Sequence, residues 1–140
     1  WAAFPSSWPL FVGASFLATG GLILLWHGES LTLREVLWGA LILRIAFFPL
    51  LPELTDDPFR YIWDGWLQTE GFNPYKFAPS DPALAAFQDT TLYQELNSPN
   101  YYSIYPPLTQ LFFALGGLFY DGHWIPSYYA LKAALVAAAA

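Results

Sequence analysis

The chain has no cysteine. A disulfide framework and a thiolate metal site are therefore both excluded, and the redox compartment stays unread. Charge is scarce too: 5 of the 140 residues are Lys or Arg and 11 are Asp or Glu, for a formal net charge of −6. Nucleic-acid binding requires clustered basic side chains to neutralise phosphates, so this balance argues against a nucleic-acid partner. Charged residues make up 11% of the chain, where a soluble domain carries about a quarter. So few charges would not cover a water-soluble body of this size. The chain opens on Trp1 with no charged n-region, so no signal peptide is read. What is present instead is apolar and aromatic: 56% hydrophobic residues, 7 Trp, 9 Tyr and 12 Phe, and a mean hydropathy of +0.36. Amphipathic aromatics gather at the lipid headgroup layer. The expected fold class is an all-α integral membrane protein.

A bilayer span needs roughly 20 apolar residues. Candidate spans are 8–26, uncharged with Trp at both ends; 33–51, apolar apart from Arg34, Glu35 and Arg44; 106–120; and 126–140. Pro106, Pro107 and Pro126 stand where a first helical turn tolerates proline. About four transmembrane helices are thus expected in one membrane domain, joined in the middle by a long loop, 52–105. Arg34 between the first two spans favours that turn as cytoplasmic, which puts the long loop on the periplasmic or exterior side of the plasma membrane. The Trp1 start and the Ala137–Ala140 run in mid-helix suggest a piece of a longer protein.

A connection this long is uncommon without function. Asp57-Pro58 and Asp81-Pro82 each place a carboxylate cap before a proline at a first helical position. The first helix should run from Pro58 to about Thr69 and stop at Gly71. Its Phe59, Ile62, Trp63, Trp66 and Leu67 form one apolar stripe, expected to lie in the membrane interface. Asp57, Arg60, Tyr61 and Asp64 form the neighbouring polar face. A second, weaker interfacial helix is expected from Pro82 to roughly Leu96, carrying Leu84, Phe87 and Leu92.

Asp56 and Asp57 could accept a proton from a hydroxyl or hold a divalent cation against an anionic substrate. A helix cap with a solvated neighbour explains them equally simply. Arg60 and Asp64 read either as a surface pair at i, i+4 or as a phosphate ligand beside a carboxylate. Arg44, deep in an apolar segment, reads as a functional or ion-paired group, or as one that snorkels to the interface. Tyr101, Tyr102 and Tyr105 with Pro106-Pro107 make an aromatic mouth suited to sugar rings or to an interfacial belt. His27 and His123 sit in short turns with no second ligand nearby, and Lys132 could snorkel or meet a phosphate.

The run Thr55-Asp56-Asp57-Pro58-Phe59-Arg60-Tyr61-Ile62-Trp63-Asp64-Gly65, then Gly71-Phe72-Asn73-Pro74-Tyr75, then Ser103-Ile104-Tyr105-Pro106-Pro107, resembles the polyprenol-phosphate-dependent mannosyltransferases of the GT-C class. The resemblance covers about Leu41 to Phe113. It implies inverting transfer of a sugar, mannose in that family, from a polyprenyl-phosphate donor at the outer face of the membrane. Carried over by position, Asp57 would be the general base and Asp56 would bind or orient. Arg60, Arg44 or both would neutralise the donor phosphate. Asp64, Asn73 and Tyr75 would shape the sugar or acceptor pocket, and Tyr105 its rim. A divalent metal ion is compatible with the class but not required, with Asp56 and Asp57 its only candidate ligands. Members of the class have more spans than four, so the chain would be their N-terminal part. The alternative is a non-catalytic structural subunit of a larger membrane complex.

Overall fold

The computed structural model describes residues 32–52 and 55–138 and scattered positions between 9 and 23. The chain divides into two compact units, Trp1–Phe47 and Phe48–Ala140. Among the described residues every regular element is helical.

No helix among the described residues is long and apolar enough to cross a membrane. This overturns the integral membrane fold expected from composition. Helix α1, Leu33–Phe47, has 15 residues and so extends about 22 Å, short of a hydrocarbon core of about 30 Å. The segment expected to span at 106–120 holds an 11-residue helix, α4 (Pro107–Gly117), and that at 126–140 a 14-residue one, α5 (Trp124–Ala137). The 8–26 candidate lies mostly outside the described residues. The stops are local. Pro49 disfavours helical geometry at Phe48, Pro106-Pro107 start α4, and Gly116-Gly117 close it.

In the first unit, α1 opens on a capping box. Glu35 Oε2 accepts from the Thr32 backbone N–H at 2.8 Å and from Thr32 Oγ1 at 2.7 Å, while the Glu35 N–H donates to Thr32 Oγ1 at 3.4 Å. These bonds hold the Glu35 carboxyl below its usual range.

The second unit is built around α2, Asp57–Thr69. Its apolar stripe is covered by protein rather than by a membrane interface. Phe59, Ile62, Trp63 and Leu67 are buried with Leu84, Leu92 and Leu96 from the long connection, Phe113 from α4 and Leu131 from α5. The second expected helix is broken in two: a 3₁₀ turn, Pro82–Phe87, and a four-residue α3, Thr91–Gln94. Ser, Thr and Asp side chains bond locally and favour such breaks, and Thr90 does so here by accepting from the Tyr93 N–H at 3.2 Å. Asp81 caps the 3₁₀ turn as expected, accepting from the Ala83 N–H at 2.8 Å. Asp57 does not cap α2. It is the first helical residue, and its N–H donates to Thr55 Oγ1 at 3.2 Å. At the other end Gly71 takes φ +83°, which a side chain would strain.

Helices α2 and α4 cross at glycine. A Cβ on Gly65 would fall on the Phe113 carbonyl, one on Gly117 on the Gly65 backbone, and one on Gly116 on the Leu131 side chain. Edge-on aromatic pairs fill the flanks: Phe59 with Trp124 at 5.0 Å, and Trp66 with Phe87 at 5.0 Å. Residues 48–50 are fastened to α5, where Tyr129 Oη donates to the Pro49 carbonyl at 3.0 Å and Lys132 Nζ to the Leu50 carbonyl at 2.8 Å. On α5 the fully buried Ser127 hydroxyl has no hydrogen-bond partner among the described residues. Ser127→Ala is therefore expected to leave stability unchanged or to raise it by about 1 kcal/mol in urea unfolding, and a loss beyond that size would mean the hydroxyl is bonded in solution.

Candidate functional site

The polar face of α2 continues past the motif. Asp57, the adjacent Arg60 and Tyr61, Asp64 and Gln68 recur at three- or four-residue steps, so they share one side of the helix. That side faces α4 and the segment before it. Arg60 Nε donates to Asp64 Oδ1 at 2.7 Å, and the pair is buried, with side-chain exposures of 6% and 0%. A surface pair at this spacing would contribute a few tenths of a kcal/mol, but here two charges leave water together and each needs every partner it can get.

Those partners come from α4 and its approach. Gln110 Nε2 donates to Asp64 Oδ2 at 3.0 Å and to Ser103 Oγ at 2.6 Å. Gln68 Nε2 donates to Gln110 Oε1 at 2.7 Å and to the Asp64 carbonyl at 3.0 Å. Arg60 Nη1 donates to the Ser98 carbonyl at 3.2 Å, while Nη2 is buried with no partner among the described residues.

Asp56 and Asp57 stand at the mouth. Asp56 is exposed and accepts from Asn97 Nδ2 at 2.7 Å. Asp57 is half-buried, and its charge reaches two tyrosines. Burial, then Tyr61 and Asp57, push the Tyr105 hydroxyl up to about 12. Burial and then Asp57 also raise Tyr61. Both hydroxyls thus remain protonated at neutral pH and can donate. The Tyr61 ring stacks on Phe113 at 4.6 Å and meets the Tyr105 ring edge-on at 5.1 Å.

A cleft of about 390 Å³ opens beside this network, with Gln68, Phe72, Asn73, Tyr75, Pro107 and Gln110 in its wall. Asn73 Oδ1 accepts from the Tyr75 N–H at 2.9 Å. The Tyr75 hydroxyl donates to the Tyr105 carbonyl, and the Ser103 N–H donates to the Pro74 carbonyl at 3.0 Å. These bonds pin the G-x-N-P-Y turn against the Y-P-P turn.

The structure thus gathers Asp56, Asp57, Arg60, Asp64, Asn73, Tyr75 and Tyr105 in the second unit. Arg44 lies in the first, exposed in the last turn of α1. Among the described residues no group of three or more His, Asp or Glu side chains could hold a metal ion. Gln68, Ser103 and Gln110 were not singled out from sequence. Gln68 could have been, since it continues the Asp57, Arg60/Tyr61, Asp64 series by four, and Gln110 is, with Thr109, one of two polar residues in the helix Pro107–Gly117. Comparison with family models, curated proteins and solved structures returned no match.

Proposed function

We propose that the second unit carries the transfer site of a glycosyltransferase that takes a sugar, mannose by resemblance, from a polyprenyl-phosphate donor. The site would work on the periplasmic or exterior side, against membrane lipids. One observation carries the reading: half-buried Asp57 stands one turn from the buried Arg60 guanidinium, whose Nη2 has no partner among the described residues. A base, and a guanidinium that keeps Nη2 uncommitted while Nε is paired with Asp64, lie on one helix face and suit inverting transfer from a sugar phosphate. Asp57 would take the proton of the attacking hydroxyl. The bond between the anomeric carbon and the phosphate oxygen would break, and Arg60 would meet the charge left on the polyprenyl phosphate. Asp56, tied to Asn97, would orient the mouth.

A second reading, a non-catalytic subunit of a membrane complex, draws on the outer face of α4. There Leu108, Leu111 and Leu115 are 69%, 62% and 51% exposed, and Leu118 just past the helix end is 68% exposed, a stripe suited to another helix.

The test is sugar transfer from a synthetic polyprenyl-phosphate mannose by the full-length gene product in membranes. Asp57→Asn is expected to lower the rate by roughly a hundredfold or more, the size of a lost general base. A folded wild-type protein without transfer decides for the subunit, whereas an Asp57→Asn variant as fast as an active wild type removes Asp57 as the base.

A further inference from the structure

The buried ion pair dictates the chemistry of the cleft wall through a chain of forced orientations. A carboxylate only accepts hydrogen bonds. With Asp64 Oδ1 taken by Arg60 Nε, Oδ2 requires a donor, so Gln110 must turn its Nε2 inward, at 3.0 Å. Gln110 Oε1 then points at Gln68, and Gln68 must answer with Nε2, at 2.7 Å. That nitrogen is also committed to the Asp64 carbonyl. Gln68 is left with its Oε1, an acceptor whose orientation the core has fixed. Across the wall Asn73 has the reverse commitment: its Oδ1 accepts from the Tyr75 N–H, which leaves Nδ2 as a donor. Tyr75, 40% exposed, adds a ring face, and its hydroxyl is already engaged with the Tyr105 carbonyl. Among the described residues no charged side chain lines the cleft.

We infer that this cleft binds a neutral, polyhydroxylated ring, with Gln68 Oε1 accepting from one ligand hydroxyl and Asn73 Nδ2 donating to another. Its size falls within the range of about 300–1,000 Å³ typical of small-ligand sites. A phosphate or carboxylate finds no cation there and would face the fixed Gln68 oxygen. Naming the ligand as the saccharide acceptor rests on the transfer reading above, whereas the recognition of hydroxyls does not.

The experiment is saturation-transfer NMR on the full chain with methyl α-D-mannopyranoside, the matching glucoside and galactoside, and monodeoxy derivatives of whichever binds best. At least one glycoside is expected to bind, at least one deoxy derivative to bind about tenfold more weakly, and inorganic phosphate not to compete. Gln68→Leu and Asn73→Ala are each expected to weaken binding about tenfold, the worth of one hydrogen bond to an uncharged group. They should also abolish discrimination against the deoxy derivative whose hydroxyl they serve. Asn73 is exposed, so its variant tests the site even if Gln68→Leu folds poorly. No binding of any glycoside, competition by phosphate, or full affinity in Asn73→Ala overturns the inference. Sugar binding without any transfer activity would overturn the transferase reading and leave this one standing.

Discussion

Asp64→Ala is expected to lose about 3–5 kcal/mol of unfolding free energy, as much as truncating a large buried core side chain. The magnitude follows from what the substitution leaves behind. Arg60 stays buried, at 5% exposure, with its Nε deprived of its anion and Nη2 already without a partner among the described residues. Breaking a buried pair from one side costs about this much, because the remaining charge is uncompensated. Gln110 Nε2 loses an acceptor in the same stroke. Removing both charges tests the cause. Arg60→Leu combined with Asp64→Leu should recover much of the loss, since well-packed apolar residues often replace a buried pair at little net cost. Urea unfolding followed by Trp fluorescence reads all three proteins. A loss under about 1 kcal/mol for Asp64→Ala would mean that water reaches the pair in solution.

Gly65→Ala is the second large effect, and its sign opposes helix propensity. In an unconstrained helix interior alanine gains about 0.5–1 kcal/mol over glycine. At Gly65 the added methyl would fall on the Phe113 carbonyl, and backbone cannot rotate aside as a side chain can. Helices α2 and α4 would have to separate, drawing Gln110 away from Asp64. A cost of about 3 kcal/mol is expected, the upper end for overpacking, with a drop in melting temperature of roughly 12 °C or more. Gly39→Ala in α1 is the matched control, since a Cβ there meets nothing within 4 Å. It should leave stability unchanged or raise it. Equal melting temperatures for Gly65→Ala and wild type would show that the two helices cross farther apart than described.

Much of α2 could be read from sequence, and the reasons are local. Its start beside Asp57-Pro58, its end at Gly71 and its apolar stripe all depend on neighbours within a few turns. What covers that stripe was not legible. Periodicity says which face is apolar and nothing about its partner, and the partners here, Leu84, Leu92 and Leu96, lie 17 or more residues beyond Leu67. The membrane reading failed for a related reason. Apolar runs at 33–51 and 106–120 matched hydropathy, but Pro49, Pro106 and the glycines at 116 and 117 limit their helices to 15 and 11 residues. Gly65 and Gly117 meet because two helices far apart in sequence cross, and no spacing rule links them. The polar network was half visible. Arg60 and Asp64 stood out by spacing, but their burial depends on Gln110 and Ser103, supplied by a different part of the chain.

The segment from Pro74 to Tyr105 leaves and returns through a narrow neck. Ser103 N–H donates to the Pro74 carbonyl at 3.0 Å, Ser80 N–H to the Pro99 carbonyl at 2.9 Å, and the Tyr75 hydroxyl to the Tyr105 carbonyl. Once such a neck is closed, lengthening the excursion beyond it adds little chain entropy, about 0.6 kcal/mol per doubling. Insertions near the exposed Asp89 should therefore be tolerated without disturbing the cleft, whose wall lies on the near side of the neck. In evolutionary terms, the stretch around Asp89, between the buried Leu84 and Leu92, is the part of this unit free to change length and acquire new contacts, while Ser98 and Ser103 stay tied to the polar network.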